Sequence, residues 1–227
     1  MTERFPVMLF AAGRGTRMAP LSDDRPKPLI VVDDRTLLDH ALDQTNLPCI
    51  SRRVVNVNYL GDMVRLHLKG RDVAISAEDP VLETGGGLRH ALPLLGDGPV
   101  MTMNTDAVWK GPNPLAVLAQ AWQPEMEGLL LLVPPAQVKC HTGRGDFSLG
   151  DDGRLNRAPD LIYTGAQIIR TERLKEIGDK VFSLNALWNI MAETGGLRGV
   201  TYSGQWCDVG RPDSIPVAEA MLHAADV

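Results

Sequence analysis

Val7-Met8-Leu9-Phe10-Ala11-Ala12-Gly13-Arg14-Gly15-Thr16-Arg17-Met18, closed further on by Pro26-Lys27-Pro28, is the stretch whose reading decides the fold. Its six leading apolar residues suit a strand buried on both faces. Gly13 and Gly15 allow positive φ and a close approach of backbone to a ligand. Consecutive N–H groups in such a turn form a concavity for anions, and Arg14, Arg17 and Lys27 add three positive charges. The prolines on either side of Lys27 restrict where its ammonium can go. A polyphosphate site follows, with a plain tight turn as the alternative. The dinucleotide fingerprint is excluded because position 18 is Met and not a third glycine, and the P-loop because Gly-Lys-Ser/Thr is missing.

Composition narrows the partners. The chain has 227 residues, 44% hydrophobic and 22% charged, which fits one α/β domain with a full core. Its net charge of −5 argues against wholesale nucleic-acid binding, so a polyphosphate must be held by a local positive pocket. Cys49, Cys140 and Cys207 form no CxxC and predict free thiols in a reducing cytoplasm. The N-terminus has too few apolar residues for a signal-peptide core, and no run approaches the ~20 residues of a membrane span. A cytoplasmic protein without membrane or nucleic-acid partners is expected.

Outward from the first strand, apolar runs alternate with helical periodicity. Helices are predicted over 37–46, with Thr36 as N-cap, over 59–68 and over 114–122, and one through Leu88, Ala91 and Leu92. Strands are predicted over 54–57, 73–76, 99–104 and 128–133, and the stretch from Glu78 to Gly87 as a loop. This order implies right-handed crossovers and a mostly parallel sheet, with ligands beyond the carboxyl ends of its strands. Gly13, Glu78 and Asp106 each follow an apolar run and should gather there. The second half reads as a hairpin over 146–156, a strand over 161–169, helices near 171–177 and 184–194, a last strand over 199–202 and a helix over 213–225. One domain is expected over 1–227, with a nucleotide-binding half over about 1–110 and a sugar-binding half over about 111–227.

Three features carry chemistry. Asp106 ends an apolar strand, where a carboxylate is desolvated unless paired or bound to metal; a turn cap is the plainer reading. Asp208, in Trp206-Cys207-Asp208-Val209-Gly210, reads either as a turn residue or as a second ligand. Gly85-Gly86-Gly87 either lets a helix pack tightly or leaves room for a base. His141, standing alone, reads as a loop residue.

Leu9-Phe10-Ala11-Ala12-Gly13-Arg14-Gly15-Thr16-Arg17-Met18 followed by Pro26-Lys27-Pro28-Leu29 resembles the signature of the sugar-1-phosphate nucleotidyltransferases, and the resemblance covers nearly the whole chain. Within that family, Leu82-Glu83-Thr84-Gly85-Gly86-Gly87, Gly143-Arg144-Gly145-Asp146-Phe147 and Trp206-Cys207-Asp208-Val209-Gly210 are most similar to the bacterial N-acetylmuramate-1-phosphate uridylyltransferase subgroup. The resemblance implies a Rossmann-like α/β fold, a mostly parallel mixed sheet with helices on both faces. It implies Mg²⁺-dependent transfer of a nucleotidyl group from UTP to a sugar 1-phosphate, N-acetylmuramic acid 1-phosphate for the subgroup. Arg17, Lys27, Asp106 and Asp208 become the catalytic set, the two aspartates holding Mg²⁺. Ala11, Ala12, Gly13, Arg14, Gly15, Thr16, Glu78, Glu83, Thr84, Gly85 and Asn104 become the nucleotide site. Arg144, Gly145, Asp146, Arg157, Thr164, Gly165 and Asn185 become the sugar-phosphate site.

Two departures stand out. Thr105 replaces the usual glycine beside the metal aspartate. Arg157-Ala158-Pro159-Asp160 stands where many relatives carry a Glu-Lys pair. Arg144 first and Arg157 second are the candidates to hold a muramyl carboxylate by two parallel hydrogen bonds. The rivals are a guanylyl- or cytidylyltransferase acting on another sugar or on choline phosphate, a non-catalytic nucleotide-sugar sensor, and a Rossmann dehydrogenase.

Overall fold

The computed structural model describes residues 3–225. The opening stretch is β1 (Phe5–Phe10), with Val7, Met8 and Leu9 shut off from solvent. Side chains alternate across a strand, so Val7 and Leu9 join one apolar layer and Met8 another. That is why the run is continuously apolar.

A ribbon of β2 (Val31–Val32) and β3 (Arg35–Thr36) leads into α1 (Leu37–Gln44), where the Thr36 hydroxyl accepts from the Asp39 N–H as expected of the cap. Then come β4 (Ile50–Val57), α2 (Gly61–His67), β5 (Ala74–Ala77), α3 (Glu83–Leu95), β6 (Val100–Asn104), β7 (Ala107–Lys110) and α4 (Pro114–Ala121). The second half runs β8 (Gly128–Val133), β9 (Val138–Lys139), the antiparallel hairpin β10 (Phe147–Leu149) and β11 (Leu155–Arg157), β12 (Ile162–Ile169), α5 (Leu184–Glu193), β13 (Leu197–Thr201), β14 (Gln205–Asp208) and α6 (Ser214–His223).

The main sheet has the order β13-β8-β12-β6-β1-β4-β5. All its pairings are parallel except those of β12, which runs against β6 and β8. This is the expected Rossmann-like mixed sheet. From β1 the chain steps outward to β4 and β5, then returns to the other side of β1 as β6. The crevice beyond the ends of β1 and β6 is thus a topological switch point, where such sheets bind ligands.

Three expectations need correction. The loop predicted over 78–87 ends at Leu82, and the glycine triplet lies inside α3. Glycine disfavours a helix interior by about 1 kcal/mol, so close packing must compensate there. The stretch after Glu172 is a single 3₁₀ segment, Glu172–Glu176. The last strand is β14: its four residues, with glycine close on both sides, carry no usable period and become a strand by pairing with β7 and β9 in a small separate sheet.

Asn113 closes the start of α4. Its Oδ1 accepts from the N–H groups of Leu115 and Ala116, and its Nδ2 donates to the Gln44 carbonyl at the end of α1. Asn113→Ala is expected to cost about 1 kcal/mol and to lower the melting temperature by about 2–4 °C, read by thermal unfolding.

Candidate active site

The loop after β1 opens on the crevice. Ala11, Ala12, Gly13, Gly15, Thr16 and Arg17 line a cavity of about 350 Å³ at the carboxyl ends of β1 and β6. Gly13 faces open space, whereas Gly15 has φ +64° and lies against the Lys27 stem. A Cβ there would sit 2.6 Å from Lys27 Cβ. The lysine is only 8% exposed, and its Nζ donates to Asp106 Oδ2 at 2.8 Å. The Thr105 hydroxyl donates to the Phe10 carbonyl at 2.7 Å and so ties the end of β6 to the end of β1.

Arg14 departs from expectation. Its guanidinium lies 5.3 Å from the Tyr59 ring centroid and lines a neighbouring surface groove, not the main cavity. The Tyr59 hydroxyl donates to the Asp23 carbonyl, so Tyr59 braces the loop from outside.

β14 delivers Asp208. It pairs with Ala107, and the Val209 N–H donates to the Asp106 carbonyl, which brings the two aspartates together. Burial raises the Asp208 pKa above its ordinary value and Asp106 raises it further, against the opposing pull of Lys27 and His141. His141 is therefore more than a loop residue. Its Nδ1 lies 3.5 Å from Asp208 Oδ2 and its ring 5.8 Å from that of Trp206. Gly143 makes room for that ring, since a Cβ there would fall 2.3 Å from His141 Nε2.

Two carboxylates converge here beside Lys27 and Arg17, and they offer hard oxygen donors. That donor set fits a divalent hard cation such as Mg²⁺, which also keeps water and substrate oxygens as ligands. Among the described residues no group of three or more His, Cys, Asp or Glu could hold a metal, so phosphate oxygens would have to complete the shell.

The far wall of the cavity is scaffolded. The Ala11 N–H donates to Asn56 Oδ1 at 2.6 Å, Asn56 Nδ2 to Glu78 Oε1 at 2.7 Å, and the Leu82 N–H to Glu78 Oε2 at 2.9 Å. Glu78 lines the cavity, but the protein engages both its oxygens, so its placement is that of a brace. Asn56 went unread in the sequence, although a lone amide within Val54-Val55-Asn56-Val57 was a signal.

The glycine triplet packs. A Cβ on Gly85, Gly86 or Gly87 would fall 2.4–2.5 Å from the Phe182 ring, the Lys180 carbonyl or Glu78 Oε1 respectively. The N–H groups of Gly85 and Gly86 donate to the Phe182 carbonyl. Gly85 does not line the cavity; Glu83 and Thr84 do.

A second cavity of about 230 Å³ adjoins the first and shares Phe10, Thr84 and Asn104 with it. Asp146, Arg157 and Asn185 line it as expected. Thr164 does not: its hydroxyl is buried and donates to the Leu131 carbonyl, and strand alternation turns Tyr163 into the cavity instead. Burial lifts the Tyr163 phenol well above its ordinary range, so it stays a neutral hydroxyl. Gly165, at φ +84°, seats Asn104, whose Cγ a Cβ would approach to 2.7 Å. Arg144 is exposed, outside the cavity, and without a hydrogen bond among the described residues. Gly145 packs on the backbone at Asp160. Trp188 floors the cavity, its indole N–H donating to Gln167 Oε1 while Gln167 Nε2 donates to Thr102 Oγ1.

A glycine-bearing loop lines a cavity at the switch point of a Rossmann-like sheet, the place where such sheets bind ligands. The MobA-like NTP transferase domain matches residues 7–157. The N-acetylmuramate α-1-phosphate uridylyltransferase of Caulobacter vibrioides is 40% identical over 96% of this chain and 97% of its own. That of Neisseria meningitidis serogroup B is 32% identical over 96% and 98%. The crystal structure of a putative glucose-1-phosphate thymidylyltransferase from Bacillus anthracis superposes with a TM-score of 0.79 at 16% identity, covering 98% and 97% of the two chains. The chain belongs to the MobA-like NTP transferase family and is a nucleotidyltransferase. No helix among the described residues is long and apolar enough to cross a membrane.

The raised Asp208 pKa has a defined sign. The folded state binds the proton more tightly than the unfolded state, so ionising Asp208 costs stability. The cost is absent well below the ordinary carboxylate range and fully present above the raised value. In chelator, Asp208→Asn is expected to melt higher than the parent near neutral pH and to lose that advantage near about pH 3, as followed by thermal unfolding across pH.

Proposed function

We propose that this enzyme transfers a uridylyl group from UTP to N-acetylmuramic acid 1-phosphate, releasing pyrophosphate. The observation that carries the reading is the junction of the two cavities. One is lined by the loop residues, Lys27 and Asp106; the other is polar and aromatic; Asn104 lines both. The names of the two bacterial relatives support the choice of UTP and of the muramyl sugar.

On this reading the loop backbone over 13–16 and Arg17 hold the β- and γ-phosphates. Lys27 holds the reacting phosphates, and the second cavity orients the sugar. The residues over about 1–110 serve the nucleotide and those over about 111–227 the sugar, in one domain. The sugar phosphate is ionised near neutral pH, so no side chain need act as a general base, and positioning with charge neutralisation suffices. Asp106 and Asp208 would hold Mg²⁺, which when bound offsets charge on the phosphates. A non-catalytic sensor is disfavoured because Arg17, Lys27, Asp106 and Asp208 are all present.

Purified protein assayed for pyrophosphate release against four NTPs and a panel of sugar 1-phosphates should use UTP best. Preference for GTP or CTP would refute the uridylyl assignment. EDTA should abolish turnover and Mg²⁺ restore it. Lys27→Met keeps the stem packed on Gly15 but removes the ammonium, and is expected to lower kcat/KM by about 10²–10³-fold. A variant with near-parental kcat/KM would remove Lys27 from the machinery.

A further inference from the structure

The second cavity has a single cation, Arg157, at the end of β11. The hairpin register sets it opposite Phe147, and its guanidinium lies 4.5 Å from the Phe147 centroid and 5.7 Å from that of Trp188. Asn185 and Asn189, one helical turn apart on α5, accept from its Nη2 at 2.7 and 3.2 Å. Two ring faces and two amides thus fix the plane of a long side chain that is otherwise costly to order.

The charge itself is unanswered. Among the described residues no carboxylate lies within ion-pair distance of Arg157. Burial lowers the Arg157 pKa and Asp146 only partly opposes this, while Asp146 Oδ2 accepts from the Tyr163 N–H. Nη1 and Nε donate to no acceptor among the described residues. An ordered guanidinium with unused donors, facing a cavity, calls for an anion.

We propose that Arg157, aimed by Asn185 and Asn189, selects sugar 1-phosphates bearing a carboxylate on the ring substituent. The inference rests on the reading of this cavity as the sugar site. Because Nη2 is already engaged, the contact comes from Nη1 or Nε, and the two-pronged carboxylate grip expected of an arginine is replaced by a charge-assisted single contact. Arg144, outside the cavity, has no part in it.

The test compares N-acetylmuramic acid 1-phosphate with its neutral primary amide, and both with N-acetylglucosamine 1-phosphate, using UTP and Mg²⁺. The parent should prefer acid to amide. Arg157→Met should lower kcat/KM for the acid about 10- to 100-fold more than for the amide. Asn189→Ala should give a smaller loss of the same selectivity, seen mainly in KM, and Arg157→Lys should restore part of it. If Arg157→Met does not fold, the acid-to-amide ratios of the parent, Arg157→Lys and Asn189→Ala decide. Equal losses on acid and amide, or a parent blind to the difference, overturn the assignment of Arg157 while UTP-dependent turnover upholds the proposed function. A parent that uses UTP with none of the three sugars overturns both.

Discussion

Lys27 and Asp106 form the contact on which the site depends. A lysine only 8% exposed is expensive to strip of water, and the partly exposed Asp106 carboxylate 2.8 Å away makes its burial tolerable. Their meeting needs Gly15 bare, so that the lysine stem can lie flat, and prolines on both sides of Lys27 to limit its backbone. It also needs the Thr105 hydroxyl to hold the end of β6 against β1. Asp208 then adds a second, partly buried carboxylate whose ionisation burial and Asp106 both oppose. The converging carboxylates are the electrostatic reason for expecting a cation there, and Lys27 and Arg17 the reason for expecting phosphates.

Rigid groups surround this charged centre. Asn56 and Glu78 use their polar atoms on the backbone at Ala11 and Leu82, fixing the loop and the entry to α3 at once. α3 can approach so closely because it opens with glycines, where the Phe182 ring, the Lys180 carbonyl and a Glu78 oxygen occupy the space of three missing Cβ atoms. Helix propensity is given up locally for tertiary packing.

Much of this was legible in the sequence, for identifiable reasons. The first strand, the glycine loop after it and the parallel core follow from apolar runs and glycine spacing, signals local to a few residues. Three things were hidden. β14 exists only through its neighbours. Glu78 invited a ligand-contact reading and the glycine triplet left packing and ligand contact both open; their packing partners emerge only when distant carbonyls and rings are in place. The choice between Arg144 and Arg157 turned on α5, whose Asn185 and Asn189 lie about 30 residues further along the chain. Thr164 was misplaced by one position, which along a strand is a change of face.

The reversed strand β12 has a consequence for how such proteins diversify. Running against β6, it brings its first residues to the crevice that the parallel strands reach with their last. The walls of the two cavities therefore come from nearly separate stretches of the gene, and only Phe10, Thr84 and Asn104 belong to both. Drift in the hairpin, the start of β12 or α5 can reshape one chamber while the other stays as it was. The three shared positions are the hinge of that independence, and substitutions there are felt on both sides at once.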